Sequence, residues 1–334
     1  MPSQKKISLK DVAEAAGVST TLVSFVLNGN KKAYRVGEET SQRILKIAKE
    51  MNYQPNIAAK SLRSGKTKTI GLVVSDISNP FFSLLARVLE DEVSKKGYTV
   101  LFGSSDEDKS NMERIIGGLI NKGVDGLIIV PCEDSELTIA SLVKNNVPVV
   151  LFDRYFPEIN VSYVALDNFN AAYSLTKHLI DEGFKAPCMA AYDVNLIHMK
   201  ERIRGYKKAM DDAGKKDLAK VVYFKHNALR KSADRILPKT IEGGADAFVF
   251  ATNMISLASL YTIKEMGTET VHRLGLASFD ENQAFDFLGV PVSNIRQPIN
   301  IMAHKALDIL IDIMSNRNTV QSVLAEGELI DKHA

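Results

Sequence analysis

Six polar and aromatic residues stand shortly after runs of apolar, often β-branched residues that are patterned as strands. They are Asn79, Phe82, Asp153, Arg154, Asn253 and Asp280. From residue 69 onward such runs alternate with helical patterns, which predicts parallel, doubly wound sheets. Ligands of these sheets bind beyond the carboxyl ends of the strands, so the six side chains are placed to bind a small molecule.

These residue types suit a polyhydroxylated ring. A carboxylate accepts hydrogen bonds from paired hydroxyls, a guanidinium donates to a hydroxyl or ring oxygen, and an aromatic face packs against C–H groups. A purine fits the same frame, because Asp and Asn side chains can bind its polar edge. We expect a sugar or sugar derivative, with a nucleobase or nucleoside as the alternative. Asn79 can cap a helix whose first residue is Pro80, which brings Phe81 and Phe82 to the mouth of the cleft. Asp153 and Arg154 could instead form a structural ion pair, and we expect Phe81 to belong to the core and not to contact the ligand.

No pattern in the chain indicates catalysis, a metal site or a cofactor. The six histidines lack metal-ligand spacing, and no Gly-x-Ser-x-Gly motif occurs. We expect the acidic run Asp106-Glu107-Asp108 to be a solvated loop. Gly65-Lys66-Thr67 is similar to the end of a phosphate-binding loop, but Lys60 stands where that loop needs glycine, and a strand follows instead of a helix. Cys132 and Cys188 fit neither a disulfide framework nor a metal site. We therefore predict a binding protein and no enzyme.

The elements that would position these residues are eight predicted strands, separated mostly by helices of about ten to eighteen residues. The strands span 70–74, 99–102, 127–130, 147–151, 189–192, 221–224, 247–251 and 274–278. This region is too long for one doubly wound sheet, and the chain of 334 residues is too long for one compact core.

The charge divides the chain into a basic N-terminal module and an acidic remainder. Residues 1–66 hold twelve Lys and Arg against five Asp and Glu, a net charge of +7. Residues 67–334 hold thirty against thirty-five, a net charge of −5. The basic module favours a polyanionic partner. No apolar run suits a membrane span or a signal peptide, so we expect a cytoplasmic protein without a membrane partner.

Three short helices are predicted in the first 53 residues. Ser8 and Asp11 form a capping box for the first, Gly17 permits a turn, and Ser19 caps the second. The third runs from about Glu38 to Met51. The residues expected to be buried between them are Val12, Ala15, Ala16, Leu22, Val23, Val26, Leu27, Ile44, Leu45, Ile47 and Ala48. This order of elements predicts a DNA-binding helix-turn-helix.

The second helix of such a module reads base edges with its N-terminal, outward-facing residues. Threonine hydroxyls bind several bases, and threonine methyls or an aromatic ring pack on thymine methyl groups. Double-stranded DNA is therefore the predicted partner. The predicted contacts in this module are Ser8, Ser19, Thr20, Thr21, Ser24, Phe25 and Asn28.

Further motifs follow these helices in a fixed order. The segments are ISLKDVAEAAGVS at 7–19, VLNG at 26–29, YQPN at 53–56, SLRSG at 61–65, TIGLV at 69–73 and DISNPFF at 76–82. Together they closely resemble the lactose-repressor (LacI/purine-repressor) family of bacterial transcription regulators. The resemblance implies a homodimer, associated with the nucleoid, that binds a near-palindromic operator under the control of a small-molecule effector. An enzyme of sugar metabolism with a DNA-binding appendage, or a lone periplasmic-type binding protein, is the rival interpretation.

The resemblance also implies a hinge at residues 55–66, between a headpiece at 1–54 and a core at 67–334. Alone, a helix of two turns is marginal in water, so we expect the hinge to fold on DNA. In the family, a leucine from each hinge wedges between base pairs in the minor groove, and Leu62 matches that leucine. The predicted DNA contacts of the hinge are Asn56, Ala59, Lys60, Leu62 and Arg63.

For the core, the resemblance implies two periplasmic-binding-protein-like lobes joined by three crossovers, near Leu166, Asn294 and Glu326. The first lobe would comprise about 67–166 and 295–325, and the second about 167–294 and 326–334. Arg202 matches a family segment that opens a helix, and it joins the six residues above as a predicted effector contact.

Four departures from the family pattern bear on specificity. Phe25 stands where many relatives carry Arg, which favours an apolar contact to thymine over a guanine contact. Gly37 is a poorer N-cap than the usual Ser or Thr. Asn253 stands where relatives often carry Asp, and Leu-Ile-His-Met at 196–199 replaces a usually more polar ligand loop.

Overall fold

The computed structural model describes residues 7–27, 36–54, 65–282, 284–285, 291–317 and 319–332. Contacts between residues divide the chain into two compact units, 1–67 and 68–334. Twelve α-helices and twelve strands occur in the described residues. None of those helices is both long and apolar enough to cross a bilayer.

The N-terminal unit contains α1 (Leu9–Ala16), α2 (Thr20–Leu27) and α3 (Glu38–Glu50). Its core consists of Val12, Ala13, Ala16, Val23, Val26, Ile44 and Ala48. Two expectations were wrong, because Ala15 is exposed and Leu45 is 50% exposed. In each helix a neighbouring residue, Ala13 or Ile44, takes the inward position. Leu22, Leu27 and Ile47 are partly buried against this core.

Six parallel strands form the sheet of the first lobe, in the order β11-β5-β4-β3-β1-β2. Their bounds are β1 Thr69–Val74, β2 Thr99–Ser104, β3 Gly126–Ile129, β4 Val149–Phe152, β5 Ser162–Leu166 and β11 Ser322–Ala325. In this register Leu72 lies between Phe102 and Ile128. The helices of this lobe are α4 Pro80–Lys95, α5 Lys109–Asn121, α6 Glu136–Lys144 and α12 Ile299–Met314.

The second lobe has a sheet of the same form, in the order β12-β10-β9-β8-β6-β7, with only β12 antiparallel. Its strands are β6 Pro187–Tyr192, β7 Lys220–Phe224, β8 Ala247–Phe250, β9 Gly275–Phe279, β10 Ser293–Arg296 and β12 Glu328–Ile330. Its helices are α7 Asn168–Asp181, α8 Ile197–Asp212, α9 Leu229–Glu242, α10 Asn253–Glu265 and α11 Thr268–Arg273.

The central strands are buried on both faces, which explains their nearly unbroken apolar sequence. Every residue of β3, β4, β6, β8 and β9 is buried. The four strands that the sequence analysis omitted are β5, β10, β11 and β12. Three of these lack a fully buried apolar run, since β10 begins Ser293-Asn294 and the residues of β11 and β12 are partly exposed.

The chain passes between the two sheets three times. The passages lie at residue 167 after β5, at 297–298 after β10, and at 326–327 between β11 and β12. The lobe boundaries drawn from sequence lie at 166/167, 294/295 and 325/326, and the second of these falls inside β10. This connectivity brings the carboxyl ends of both sheets to one cleft.

Candidate functional site

The cleft between the lobes is a cavity lined from both sheets, with about 690 Å³ of space between atoms, including its mouth. Six of the seven predicted effector contacts line it: Asn79, Phe82, Asp153, Arg154, Arg202 and Asp280. The seventh, Asn253, is fully buried beside it and lines an adjoining pocket that shares Asp280 with the cleft. The structure thus brings together the predicted set from the ends of four strands (β1, β4, β8 and β9) and one helix.

Asp153 and Asp280 occupy equivalent places in the two lobes. Each directly follows a central strand, β4 or β9, and each has a left-handed backbone, with φ of 63° and 66°. Aspartate tolerates this conformation better than most residues. The backbone N–H of Asp153 donates to Val164 O at 2.9 Å, and that of Asp280 donates to Ile295 O at 3.0 Å. Both carboxylates are therefore fixed at the ends of their sheets.

Both carboxyl groups are buried, and burial favours their neutral forms. Burial raises the pKa of Asp153 to about 6, against the opposing effect of the Arg154 and Arg202 charges. Burial also raises the pKa of Asp280, although Arg202 and a hydrogen bond from Gln297 act in the other direction. Gln297 Nε2 donates to Asp280 Oδ1 at 2.6 Å.

Arg154 is paired chiefly with Glu107, which the sequence analysis assigned to a solvated loop run. Two parallel hydrogen bonds of 2.7 Å join its terminal nitrogens to the two carboxylate oxygens of Glu107. Its Nε lies 3.7 Å from Asp153 Oδ2, so the neighbouring aspartate is the weaker partner. Burial alone would raise the pKa of Glu107, but the charge and hydrogen bonds of Arg154 bring it below its ordinary value.

Arg202 is also held by the protein. Its Nε donates to Asn168 Oδ1 at 2.7 Å, one terminal nitrogen donates to Ala251 O at 2.5 Å, and the guanidinium lies 3.9 Å above the centre of the Phe279 ring. The expectation that it opens a helix was wrong, because α8 begins at Ile197. This earlier start places His198 in the cleft as well.

Asn79 and Asn253 connect the two lobes across the cleft. Asn79 caps α4, accepting a hydrogen bond from Phe81 N at 3.1 Å, and Pro80 is the first helical residue, as predicted. The Asn253 Nδ2 group donates to Asn79 Oδ1 at 3.2 Å. A second link joins the lobes where the backbone N–H of Asn195 donates to Glu133 Oε1 at 2.5 Å.

Phe81, Phe82 and Tyr192 form the aromatic wall of the cleft. Phe81 and Phe82 form an edge-to-face pair with ring centres 5.0 Å apart, and both are buried. Phe81 belongs to the core as expected, yet it also lines the cavity alongside Phe82. Tyr192, the last residue of β6, lines the cavity from the second lobe. The same rule of strand ends could have identified it from sequence.

Several buried polar atoms of the cleft have no hydrogen-bond partner in the described residues. They are Arg154 Nε, His198 Nδ1, Asn253 Oδ1 and Gln297 Oε1. Burial lowers the pKa of His198 well below its ordinary value, and Arg154 and Arg202 act in the same direction, so its imidazole is neutral. Unpaired buried polar atoms are rare in native proteins, and these four are available to a bound water or a polar ligand.

In the N-terminal unit, the predicted DNA contacts Thr20, Thr21, Ser24 and Phe25 lie on α2, and Ser8 and Ser19 directly precede α1 and α2. The Ser8 and Asp11 capping box is present, with Ser8 N donating to Asp11 Oδ2 at 2.7 Å. Gly17 has a φ of 64°, and Ser19 Oγ accepts from Leu22 N at 3.3 Å. Thr20 and Thr21 are exposed on the first turn, whereas Ser24 and Phe25 are partly buried. The other predicted contacts, Asn28, Asn56, Ala59, Lys60, Leu62 and Arg63, lie outside the described residues.

One further group of possible metal ligands lies away from the cleft. His178, Glu182 and Asp331 place one ligand atom each within 4.8 Å of one another. His178 Nε2 is 3.0 Å from Ser293 Oγ, so hydrogen bonds within the protein already engage this group.

Comparison with known proteins agrees with this organisation. Residues 67–330 match the family model described as periplasmic binding proteins and sugar binding domain of LacI family. Residues 8–56 match the model for bacterial regulatory proteins of the lacI family. The regulator DegA of Bacillus subtilis (strain 168) is 27% identical over 337 residues, covering 98% of each chain.

Two solved structures share the fold over nearly the whole chain. The lac repressor dimer bound to operator and the anti-inducer ONPF has a TM-score of 0.85 at 19% identity and covers 98% of each chain. The complex of the transcriptional regulator CelR with cellobiose has a TM-score of 0.71 at 24% identity, covering 98% of this chain and 100% of that one. The protein studied here is therefore a member of the LacI family of DNA-binding transcription regulators, with an effector-binding core.

Proposed function

We propose that this regulator binds a sugar or sugar derivative between its lobes and that the ligand changes its affinity for an operator. The observation that carries the proposal is the pairing of Asp153 and Asp280, one from each lobe, across a cleft that also holds Arg154, Arg202 and an aromatic wall. Hydroxyl groups of one ring can bridge both carboxylates. The ligand then stabilises one arrangement of the lobes over another, which is what a two-state switch requires.

The fold relatives support this ligand class, since one of them holds cellobiose. The small cavity and its polar lining suit a mono- or disaccharide or a derivative of similar size. The seven residues Asn79, Phe82, Asp153, Arg154, Arg202, Asn253 and Asp280 are the proposed effector contacts. In the N-terminal unit the exposed Thr20 and Thr21 are the proposed base-reading residues, with Leu62 as the proposed minor-groove wedge.

The proposed operator is near-palindromic, because the proposed active form is a homodimer. Each sheet ends in a strand with an exposed aromatic side chain, Phe102 on β2 (42% exposed) and Tyr223 on β7 (46% exposed). Leu84 on α4 and Tyr261 on α10 are exposed as well, at 51% and 58%. Exposed apolar residues of this size are typical of surfaces that a partner covers, and we assign them to the second copy.

Thermal unfolding of the full chain against neutral sugars, sugar phosphates, uronic acids and purines tests the ligand class. A ligand present at about 100 times its Kd adds about 2.7 kcal/mol to the stability of the folded core. Stabilisation by a sugar, lost in Asp153→Ala and kept in the exposed control Asp91→Ala, is the expected result. Stabilisation by a purine alone would contradict the sugar assignment and leave the regulator assignment intact.

A further inference from the structure

Carboxyl groups outnumber guanidinium groups in the lining of the cleft. Asp76, Glu107, Asp153 and Asp280 face it, against Arg154 and Arg202, and no lysine lines the cavity in the described part of the chain. Two histidines, His198 and His226, line it as well. Burial of a further negative charge among these carboxylates is unfavourable unless a cation is free to pair with it.

The two terminal nitrogens of Arg154 are not available to an anion. Arg154 presents both of them to Glu107 in a two-bonded pair, and its side chain is only 8% exposed. This fork geometry is the one that would otherwise bind a phosphate or carboxylate. Arg202 donates to the neutral acceptors Asn168 Oδ1 and Ala251 O, and its face covers the Phe279 ring. The protein itself therefore occupies the guanidinium fork that an anionic ligand would use.

Two of the helix N-termini at the cleft, those of α4 and α10, carry side-chain caps. An uncapped N-terminus offers backbone N–H groups to an anion. Here the Asn79 side chain caps α4, and Thr252 Oγ1 caps α10 by accepting from Ile255 N at 3.2 Å. Both Asn79 and Thr252 line the cavity.

The cleft also presents buried acceptors that lack a donor. Asn253 Oδ1 and Gln297 Oε1 have no donor in the described residues, and both belong to side chains that are buried. In the same part of the chain the Asp153 carboxylate accepts no hydrogen bond, and Arg154 Nε lies 3.7 Å from its Oδ2. A ligand rich in hydroxyl donors satisfies these groups, whereas a phosphate or carboxylate presents only further acceptors to them.

From this arrangement we infer that the cleft selects an uncharged polyhydroxylated ligand and excludes sugars that carry a phosphate or carboxylate group. The inference rests on the proposed sugar-binding function and narrows it. Glu107 is assigned the role of a specificity residue, because it neutralises Arg154 and removes the fork from use by an anion.

Isothermal titration calorimetry of the full chain with matched pairs of a neutral sugar and its charged derivative tests whether the cleft excludes charged sugars. The pairs are D-glucose with glucose 6-phosphate, D-ribose with ribose 5-phosphate, D-fructose with fructose 1-phosphate, and D-galactose with galacturonate. In any pair that binds, we expect the neutral member to bind about tenfold or more tightly. Equal or tighter binding of the charged member overturns the inference, while the proposed sugar-regulated switch still stands.

A second titration does not depend on finding the natural sugar. Inorganic phosphate is titrated into the parent protein, Glu107→Gln and the exposed control Glu113→Gln. We expect no measurable phosphate binding in the cleft of the parent or the control. In Glu107→Gln, where Arg154 is released, the phosphate affinity should be at least about tenfold above the detection limit that the parent sets. Phosphate binding to the parent that Arg154→Met abolishes, or no gain in a folded Glu107→Gln, overturns the inference.

If Glu107→Gln does not fold, Asp153→Asn provides the alternative variant. It keeps the shape of the side chain and removes one negative charge. The expected result is weaker binding of the neutral sugar and a smaller preference over its phosphate. An unchanged preference in this variant contradicts the electrostatic argument.

Discussion

Removal of Glu107 leaves the positive charge of Arg154, in the wall of the cleft, without its main partner. The Arg154 side chain is 8% exposed and its partner 22% exposed, so the pair is largely withdrawn from water. Breaking a buried pair by deleting one member typically costs about 3–5 kcal/mol. Because Glu107 retains some exposure, we expect Glu107→Ala to lose about 3 kcal/mol, near the lower limit of that range.

A control variant on the surface separates this loss of stability from the general effect of removing a carboxylate. Glu90 pairs with Arg87 on the outer face of α4 at 3.2 Å, with both side chains about two-thirds exposed. Glu90→Ala should cost at most about 1 kcal/mol, because exposed ion pairs contribute little. The double variant Glu107→Leu with Arg154→Met removes both members of the pair and leaves no unpaired charge at Arg154, so we expect it to be more stable than Glu107→Ala.

Calorimetry of the full chain is the suitable assay, because the sequence contains no tryptophan to report unfolding. A loss of about 3 kcal/mol corresponds to a fall of roughly 6–12 °C in the Tm of the core. The difference between parent and Glu107→Ala should shrink in acid. The folded-state pKa of Glu107 is lowered, so the stability it contributes is present above its ordinary pKa and lost as pH falls below it. Equal Tm values for Glu107→Ala and Glu90→Ala would refute the reasoning.

Three further predictions concern the ligand, the operator and the headpiece. Sugar affinity should fall as pH drops through about 6, because buried Asp153 becomes protonated there and accepts fewer hydrogen bonds. In Asp153→Asn the sugar affinity should depend less on pH. Identical pH profiles of sugar affinity in parent and variant would exclude Asp153 as the titrating group. Leu62→Ala should weaken specific operator binding in an anisotropy assay while leaving sugar affinity nearly unchanged, and equal operator affinity in variant and parent would exclude the wedge. Ser8→Ala removes the capping box of α1 and should lower headpiece stability by about 1 kcal/mol, seen as an earlier calorimetric transition with the core transition unmoved.

Much of the cleft could be predicted because its residues follow strands that are apolar throughout. Asp153 and Asp280 come directly after β4 and β9, whose residues are all buried, and local sequence is enough to place such residues at a ligand-binding edge. The capping of α4 by Asn79 was predicted for the same reason, since the cap and Pro80 are adjacent in sequence.

The partners of these residues depend on tertiary packing, which local patterns do not encode. Glu107 lies 47 positions from Arg154, in a run of three acidic residues that is typical of a solvated loop. Its neighbours Asp106 and Asp108 are exposed, as such a run predicts, and only the folded chain turns Glu107 inward. Gln297 follows β10, a strand whose short polar sequence gave no periodic signal.

The most direct test of the central claim joins the two units in one measurement. An operator is first selected from random duplex DNA, and its affinity for the full chain is measured by anisotropy with and without a saturating sugar that binds the cleft. The account predicts a change of about fivefold or more in the parent. Asp280→Ala should bind the operator as the parent does without sugar and show no response to it. A sugar that demonstrably occupies the cleft yet leaves operator affinity unchanged would contradict the account.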